Sequence, residues 1–297
     1  MIVEVSIIIP TLHRKESLVR LLGSLALQTG VKFEVIVVEQ GEQHEEEVGQ
    51  LGRKLGLTLH YIYLPVPSMT HARNVGASAA KGEYLLFLDD DVVARPGLLS
   101  AHIKNFQDHR VATTTGRVIT PGQPIESKRT DTARVSLFGI TEGYSSAVRQ
   151  EVDTVVGCNM CWRKDVYRKL GGVDERFTGN ALREETDLSL RAKNAGFKII
   201  FEPKAEVEHL RVETGGARKT EGRIRWYFDF FSNETYFFLK HRPAVLLPIY
   251  LLTKVNWSLR CMFGFGREVS LRSFFTPKLG ILDGIRKYRR YNYENRH

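Results

Sequence analysis

The stretch YLLFLDDDVV, residues 84–93, places three consecutive aspartates directly after a run of largely apolar residues. Such a run is typical of a strand that is buried on both faces of a sheet. Asp89, Asp90 and Asp91 therefore stand where the strand leaves the core. Carboxylates at the end of a rigid strand suit a hard divalent cation shared with substrate phosphates. The structural alternative is a solvated strand end that leads into a helix after Pro96.

The sequence around this stretch alternates between strand and helix patterns. The predicted segments are strands at 3–10, 33–39, 58–64 and 83–89, separated by helices at 15–28, 45–56 and 70–80. This order predicts an α/β fold with a mostly parallel, Rossmann-like sheet and flanking helices. Ligands of such sheets bind at the carboxyl ends of the strands, so the aspartates are expected to face the binding cleft.

The pattern changes in the second half of the chain. Residues 119–150 are rich in Thr, Ser, Pro and Gly, which predicts a long loop of the kind that forms lids and binding segments. The elements predicted after it are a strand at 152–157, helices at 163–172 and 183–196, and strands at 198–203 and 205–210. We therefore predict a catalytic domain at 1–217, followed at 218–297 by a helical extension rich in aromatic and basic residues.

The composition is that of an ordinary globular protein. Of the 297 residues, 42% are hydrophobic, and the chain has three cysteines and a net charge of +9. A disulfide framework, a signal peptide and a run of about 18 apolar residues are not evident, so we expect a cytoplasmic location. The aromatic and basic extension fits peripheral contact with an anionic membrane surface, while a buried helical subdomain or a homodimer contact explains the aromatics equally well.

Three further groups of residues have chemistry suited to a cleft. Glu184, Glu185 and Asp187 fall in the first turn of a predicted helix, where acids are favoured by the helix dipole and where one can also act as a general base. His209 follows a strand pattern and becomes a candidate ligand if a metal is present. Arg73 is a candidate for binding a diphosphate.

Seven segments in order together resemble family-two glycosyltransferases. They are VSIIIPT (5–11), VIVVEQG (35–41), ARNVG (72–76), YLLFLDDDVV (84–93), GCNMCWRK (157–164), GGVDERF (171–177) and EETDLSLR (184–191). The resemblance covers residues 3–210. It implies a GT-A fold, a nucleoside-diphosphate-sugar donor, a Mn²⁺ or Mg²⁺ ion, and inversion at the anomeric carbon.

The resemblance also implies roles for individual residues. The donor would be contacted by Pro10, Thr11, Glu39, Arg73, Asp89 and Asp90, and the metal by Asp91 and His209. Glu185 would be the base, with Asp187 as the alternative, and the acceptor and sugar would be bordered by Cys158, Asn159, Met160 and Glu184. The chain departs from the family pattern at Glu39 and Glu185, where an Asp is usual.

The expected activity is transfer of one sugar to a hydroxyl of a glycan or lipid-linked acceptor, in the synthesis of cell-surface polysaccharide or glycolipid. UDP is the first choice of carrier, with dTDP and GDP as alternatives. Processive synthases carry a QxxRW motif, and here Gly222 replaces the Gln ahead of Arg225 and Trp226, which favours single addition.

Three other functions compete with transfer. A nucleotidyltransferase would show a glycine-rich phosphate-binding segment near the N-terminus, which IIIPTLHRKES (7–17) lacks. A dehydrogenase would show GxGxxG after the first strand, and this pattern is absent there. A basic nucleic-acid-binding protein would show a recognised nucleic-acid-binding motif, and we find none in the sequence, so we expect no nucleic-acid partner.

Overall fold

The computed structural model describes residues 3–137, 139–212, 215–216, 222–254 and 271–295. Its strands are β1 (Val5–Leu12), β2 (Phe33–Gln40), β3 (Leu59–Leu64), β4 (Tyr84–Leu88), β5 (Val92–Ala94), β6 (Val111–Ile119), β7 (Arg134–Val135), β8 (Ile140–Thr141), β9 (Gln150–Glu151), β10 (Asn159–Arg163) and β11 (Lys198–His209). Its main helices are α1 (Lys15–Leu25), α2 (Glu45–Lys54), α3 (Met69–Ala79), α4 (Leu98–Ile103), α5 (Lys164–Lys169), α6 (Glu184–Asn194), α7 (Gly222–His241) and α8 (Leu271–Glu294).

One mixed sheet forms the centre of the molecule, in the order β3-β2-β1-β4-β10-β6-β11-β5, with β9 paired to β11. β1, β2, β3 and β4 are parallel neighbours. Helices pack on both faces of this sheet, and alternate residues of β1 accordingly belong to two different apolar clusters. Ile7 and Ile9 pack with α1, and Ile8 packs with α3. The predicted α/β fold is confirmed.

The second half of the sheet differs from the prediction. The strand predicted at 152–157 is wrong, because that segment is irregular and the strand is β10, which is fully buried between β4 and β6. The two strands predicted at 198–203 and 205–210 form the single strand β11, with a register shift between Glu202 and Glu206. Pro203 lies inside that shift, where a residue without an N–H interrupts the ladder.

β6 is also absent from the prediction, because its threonines resemble a loop. Thr113, Thr114 and Thr115 are fully buried. Thr113 donates to the carbonyl of Cys161 at 2.8 Å and Thr115 to the carbonyl of Asn159 at 3.1 Å. The hydroxyls are therefore satisfied within the sheet, which makes burial of polar side chains acceptable.

The C-terminal helices pack on each other and on the sheet domain. Phe177 is fully buried against Tyr236 of α7, with ring centroids 5.1 Å apart. The predicted boundary between residues 217 and 218 lies outside the described residues, as does Cys261. Within the described parts of the chain, no helix combines the length and the apolar character needed to cross a bilayer.

Candidate active site

The end of β4 and the end of β11 meet at one corner of the sheet. β4 and β11 run in the same direction, because β10 is antiparallel to both β4 and β6, and β6 is parallel to β11. β5 pairs antiparallel with β11 and sets Val92 opposite His209. The ligand atoms of Asp89, Asp91 and His209 consequently lie within 4.8 Å of one another. We call these three residues the metal corner.

The metal corner has the donor set of a divalent-cation site. His209 Nε2 lies 3.1 Å from Asp91 Oδ1. Burial opposes ionisation of Asp91, but the hydrogen bond with His209 and the charges of His209 and Arg14 outweigh it and lower the pKa of this carboxyl. Asp91 is therefore a carboxylate near neutral pH, as a metal ligand must be. Two carboxylates and one imidazole could hold a divalent cation.

Asp90 has a different environment from its two neighbours. It accepts hydrogen bonds from Thr11 Oγ1 at 2.8 Å and from Arg14 at 3.1 Å, and it is buried. Burial raises the pKa of Asp90 to about 6, against the charge of Arg14 and the hydrogen bond from Thr11. Asp90 therefore holds the end of β1 against the end of β4.

Arg14 is a site residue that the sequence reasoning missed. Its guanidinium lies 3.1 Å from a carboxylate oxygen of Asp90 and 3.1 Å from one of Asp91. It also donates to the carbonyl of Val212, just beyond β11. A basic residue three positions after Thr11, at a strand end, was the available signal. Arg14 balances the negative charge of the aspartates from the β1 side.

Arg73 connects the metal corner to α6. It is 4% exposed, lies 3.4 Å from Asp89 Oδ1, donates to the carbonyl of Gly157 at 3.1 Å, and forms an ion pair with Glu184. Gly157 provides the space, because a Cβ there would lie 2.9 Å from the guanidinium. Arg73, Asp89 and Glu184 thus lie together, with Arg73 and Glu184 both buried.

Glu185 is half-buried in the first turn of α6. Burial raises its pKa, and the negative charge of Asp89 adds to the rise, while Arg73 and Arg183 oppose it. The charges of Asp89 and Arg73 thus both act on the Glu185 carboxyl. A partly accessible carboxyl with a raised pKa is suited to accept a proton from a substrate hydroxyl.

Asp187 points into the molecule instead. It is fully buried, and Lys240 Nζ, His241 Nε2 and Arg191 Nε lie 2.8, 2.7 and 2.9 Å from its carboxylate oxygens. Burial opposes its ionisation, but the hydrogen bond with His241 and the charges of Arg191 and Lys240 lower its pKa far below the usual range. Asp187 therefore ties α6 to α7.

The residues predicted to contact the nucleotide base or ribose lie at the ends of β1 and β2. Pro10 and Thr11 lie beside the last residues of β2, with Thr11 paired to Glu39. Glu39 is 2% exposed, and its two carboxylate oxygens lie 2.7 Å from His44 Nδ1 and 2.6 Å from Tyr61 Oη. Since both oxygens are engaged, His44 and Tyr61 are additional candidates for contact with a nucleoside.

The segment predicted to border the acceptor is mostly interior. Asn159 and Met160 are fully buried in β10, and the Asn159 side chain is bonded to His102 at 2.9 Å and to the carbonyl of Ala205 at 2.9 Å. The structure does not bring these two side chains to the cleft, because β10 is a central strand. Cys158 does lie near the metal corner, where burial and the charges of the aspartates raise its pKa.

Comparisons with known proteins agree with this geometry. Residues 6–171 match the sequence profile of the family described as glycosyl transferase family 2. A pre-mycofactocin glycosyltransferase of Mycobacterium tuberculosis is 28% identical over 209 residues, which is 69% of this chain but 42% of that protein. A glucosyl-dolichyl phosphate glucuronosyltransferase of Haloferax volcanii is 23% identical over 223 residues, 71% of this chain and 70% of that protein.

A likeness in structure points the same way. The crystal structure of S. aureus TarS 1–349 in complex with UDP-GlcNAc superposes with a TM-score of 0.65 at 17% identity, over 96% of this chain and 81% of that one. This likeness confirms the GT-A fold. Because the family profile covers more than half of the sequence, the chain belongs to glycosyl transferase family 2.

Proposed function

We propose that the protein is a metal-dependent, inverting glycosyltransferase that moves one sugar from a nucleoside-diphosphate sugar to an acceptor hydroxyl. The observation that carries the proposal is the metal corner, with Arg73 3.4 Å from Asp89 and with the Glu185 carboxyl under the charges of Asp89 and Arg73. Cationic groups for a diphosphate and a base for a hydroxyl are the two requirements of such a displacement.

Each residue has a distinct task in this reaction. A bound Mn²⁺ would supply Lewis-acid neutralisation of the diphosphate, and the imidazole in the donor set favours Mn²⁺ over Mg²⁺, which prefers oxygen ligands. Arg73, which Glu184 and the Gly157 carbonyl hold in place, adds positive charge where the diphosphate departs. Glu185 takes the proton of the attacking hydroxyl, and one displacement of this kind inverts the anomeric carbon.

The donor and acceptor are proposed by class. UDP is the first choice of nucleotide, supported by the UDP-GlcNAc in the TarS complex, with dTDP and GDP as alternatives. A glycan or lipid-linked acceptor is supported by the haloarchaeal relative, whose name describes a dolichyl-phosphate-linked glucose as its substrate.

A thermal-shift panel tests the proposal. Purified protein is mixed with UDP, dTDP, GDP and their glucose derivatives, with and without MnCl₂. We expect one nucleotide to raise the Tm only with Mn²⁺, because the diphosphate and the ion share the metal corner. Asp91→Asn should remove this shift, and Asp165→Asn, an exposed acid in the first turn of α5, should keep it.

Two results would contradict the proposal. The first is an unchanged Tm with every nucleotide and sugar nucleotide in the presence of Mn²⁺. The second is a shift that Asp91→Asn leaves intact. Release of pyrophosphate rather than a nucleoside diphosphate would instead identify a nucleotidyltransferase.

A further inference from the structure

Exposed residues of α8 recur at helical spacing, and they combine apolar with cationic side chains. Residues 275, 279, 282, 286, 289 and 293 follow one another at intervals of four and three, so they lie along one strip of the helix. All six are exposed. They are Phe275, Leu279, Leu282, Arg286, Arg289 and Tyr293. We call this strip the α8 face.

The apolar half of the strip is too exposed for an ordinary solvated helix. Phe275 is 48% exposed, Leu279 54% and Leu282 51%, and they occupy successive positions. Scattered exposed apolar residues are common on protein surfaces, whereas a contiguous group of them marks an interaction site. The α8 face is therefore an interaction surface.

A second helical segment also exposes apolar residues. Residues 247–254 are helical, and Leu251 and Ile285 of α8 each pack against the same buried cluster of Phe238, Leu239 and Tyr250. The outer side of this segment exposes Ile249 to 50% and Leu252 to 70%. Two helical segments that pack against one cluster thus each carry exposed apolar residues.

The charge of the α8 face identifies its partner. Residues 275–294 contain Lys278, Arg286, Lys287, Arg289 and Arg290, against two acids. Asp283 is half-buried, accepts from Ser232 and pairs with Lys287, and Glu294 pairs with Arg290 and Arg176, so neither of these pairs offsets Arg286 or Arg289. Two copies of this face would place cations against cations, which disfavours a homodimer contact.

We propose that the α8 face docks the protein on an anionic lipid bilayer. Leu279 and Leu282 enter the boundary of the acyl chains, Arg286 and Arg289 bind headgroup phosphates, and Tyr293 lies at the headgroup level. The strip is apolar in its first half and cationic in its second, and apolar, cationic and aromatic groups of these kinds favour an anionic membrane interface. The docking is independent of sugar transfer, so the two proposals can fail separately.

Vesicle co-sedimentation with the full chain tests the docking. The vesicles are phosphatidylcholine alone, or phosphatidylcholine mixed equally with phosphatidylglycerol. We expect binding to the mixed vesicles, weakened by high salt, and none to the neutral ones. Arg286→Gln with Arg289→Gln should weaken binding about 30-fold, since each cation near an anionic surface contributes about fivefold. Leu279→Gln with Leu282→Gln should weaken it about tenfold or more.

Matched controls carry the same changes elsewhere. Arg53→Gln with Lys54→Gln on the exposed end of α2, and Leu27→Gln, which is 69% exposed, should bind as the unaltered protein does. All variants should keep the nucleotide-dependent Tm shift. Failure of the unaltered protein to bind mixed vesicles, or equal binding by the α8-face variants, would overturn the proposal. Concentration-dependent self-association that the Leu279 and Leu282 changes abolish, without vesicle binding, would assign the face to a dimer and overturn it as well.

Discussion

Glu185 and Asp187 are two residues apart on α6 and lie in opposite environments. Burial raises the pKa of Glu185 at the cleft, whereas contacts with α7 lower that of Asp187. We expect Glu185→Gln to lower sugar transfer about 10²–10⁴-fold, the usual contribution of a general base. The donor-induced Tm shift should persist. Release of nucleoside diphosphate measures the rate, and Glu46→Gln, an exposed acid in the first turn of α2, is the control.

The raised pKa also predicts a pH dependence. A base acts only when it is deprotonated, so the rate should rise with pH through a pKa above the ~4.3 of an unperturbed glutamate and then level off. The residual activity of Glu185→Gln should lack this limb. A limb that survives in the variant would assign it to another group, such as Asp90, whose pKa is raised to about 6.

Asp187→Asn gives the matching contrast. Removing one charge from a buried ion-pair network costs about 3–5 kcal/mol, so this variant should lose stability in urea unfolding. Its low pKa means that the stabilisation is present above the pKa of the unfolded chain and is lost as the pH falls through the folded value. Full stability together with abolished transfer would instead make Asp187 the base.

At the scale of single residues, the sequence predicted those site residues that stand at a strand end or within a recognisable motif. Asp91 and His209 were predicted from the aspartate run and the resemblance, and the structure brings their ligand atoms together. The basic residue after Thr11 is visible in the sequence, but its partner Asp90 lies 76 residues away and cannot be read from the local sequence. Asn159 was predicted to border the acceptor because its segment resembles a family motif. The sequence does not show that this segment becomes a strand buried between β4 and β6.

At the scale of secondary-structure elements, a strand was predictable where its own residues show the pattern and not where it depends on a distant partner strand. β1 and β4 are short apolar runs that enter the core, so their own sequences show them. β6 depends on threonine hydroxyls that are satisfied by a strand far along the chain, and such pairing is invisible in a local window. The extent of β11 depends on β6 and β5, which hold its two ends on either side of Pro203.

The contact between α7 and α8 relies on two glycines spaced four residues apart. A Cβ on Gly280 would lie 2.6 Å from the carbonyl oxygen of Phe228, and one on Gly284 would lie 2.5 Å from that of Ser232. Both contacts are with backbone atoms, which cannot move without separating the helices. The pair of glycines therefore sets how closely α8 approaches α7.

We expect Gly280→Ala and Gly284→Ala each to destabilise the protein by about 1–3 kcal/mol, the usual cost of overpacking. Gly23→Ala in α1 is the matched control, since nothing lies within 4 Å of its added Cβ. It should stabilise the helix by about 0.5–1 kcal/mol. Urea unfolding measures all three, and a gain in stability for the α8 variants equal to that of Gly23→Ala would refute the close approach.

At the scale of the whole molecule, buried charges join the C-terminal helices to the catalytic sheet. Lys240 of α7 lies 2.7 Å from Asp174 and 2.8 Å from Asp187, and all three side chains are almost fully buried. Tyr236 donates to Asp174 at 2.6 Å. Contacts with α7 thus fix α6, the helix that carries Glu185, so the two predicted domains share one structural core.

This shared core makes the predicted catalytic domain dependent on the extension. A chain that ends at residue 217 would expose Phe177 and would lose the ion pairs that Lys240 makes with Asp174 and Asp187, so it loses both buried apolar contacts and part of a buried ion-pair network. We expect this fragment to aggregate or to unfold without a cooperative transition, and to show no donor-induced Tm shift. Size-exclusion chromatography and thermal unfolding measure this, with a chain that ends at Glu294 as the control. A monomeric fragment with cooperative unfolding and full donor binding would show that the sheet domain folds alone and does not need its contacts with α7.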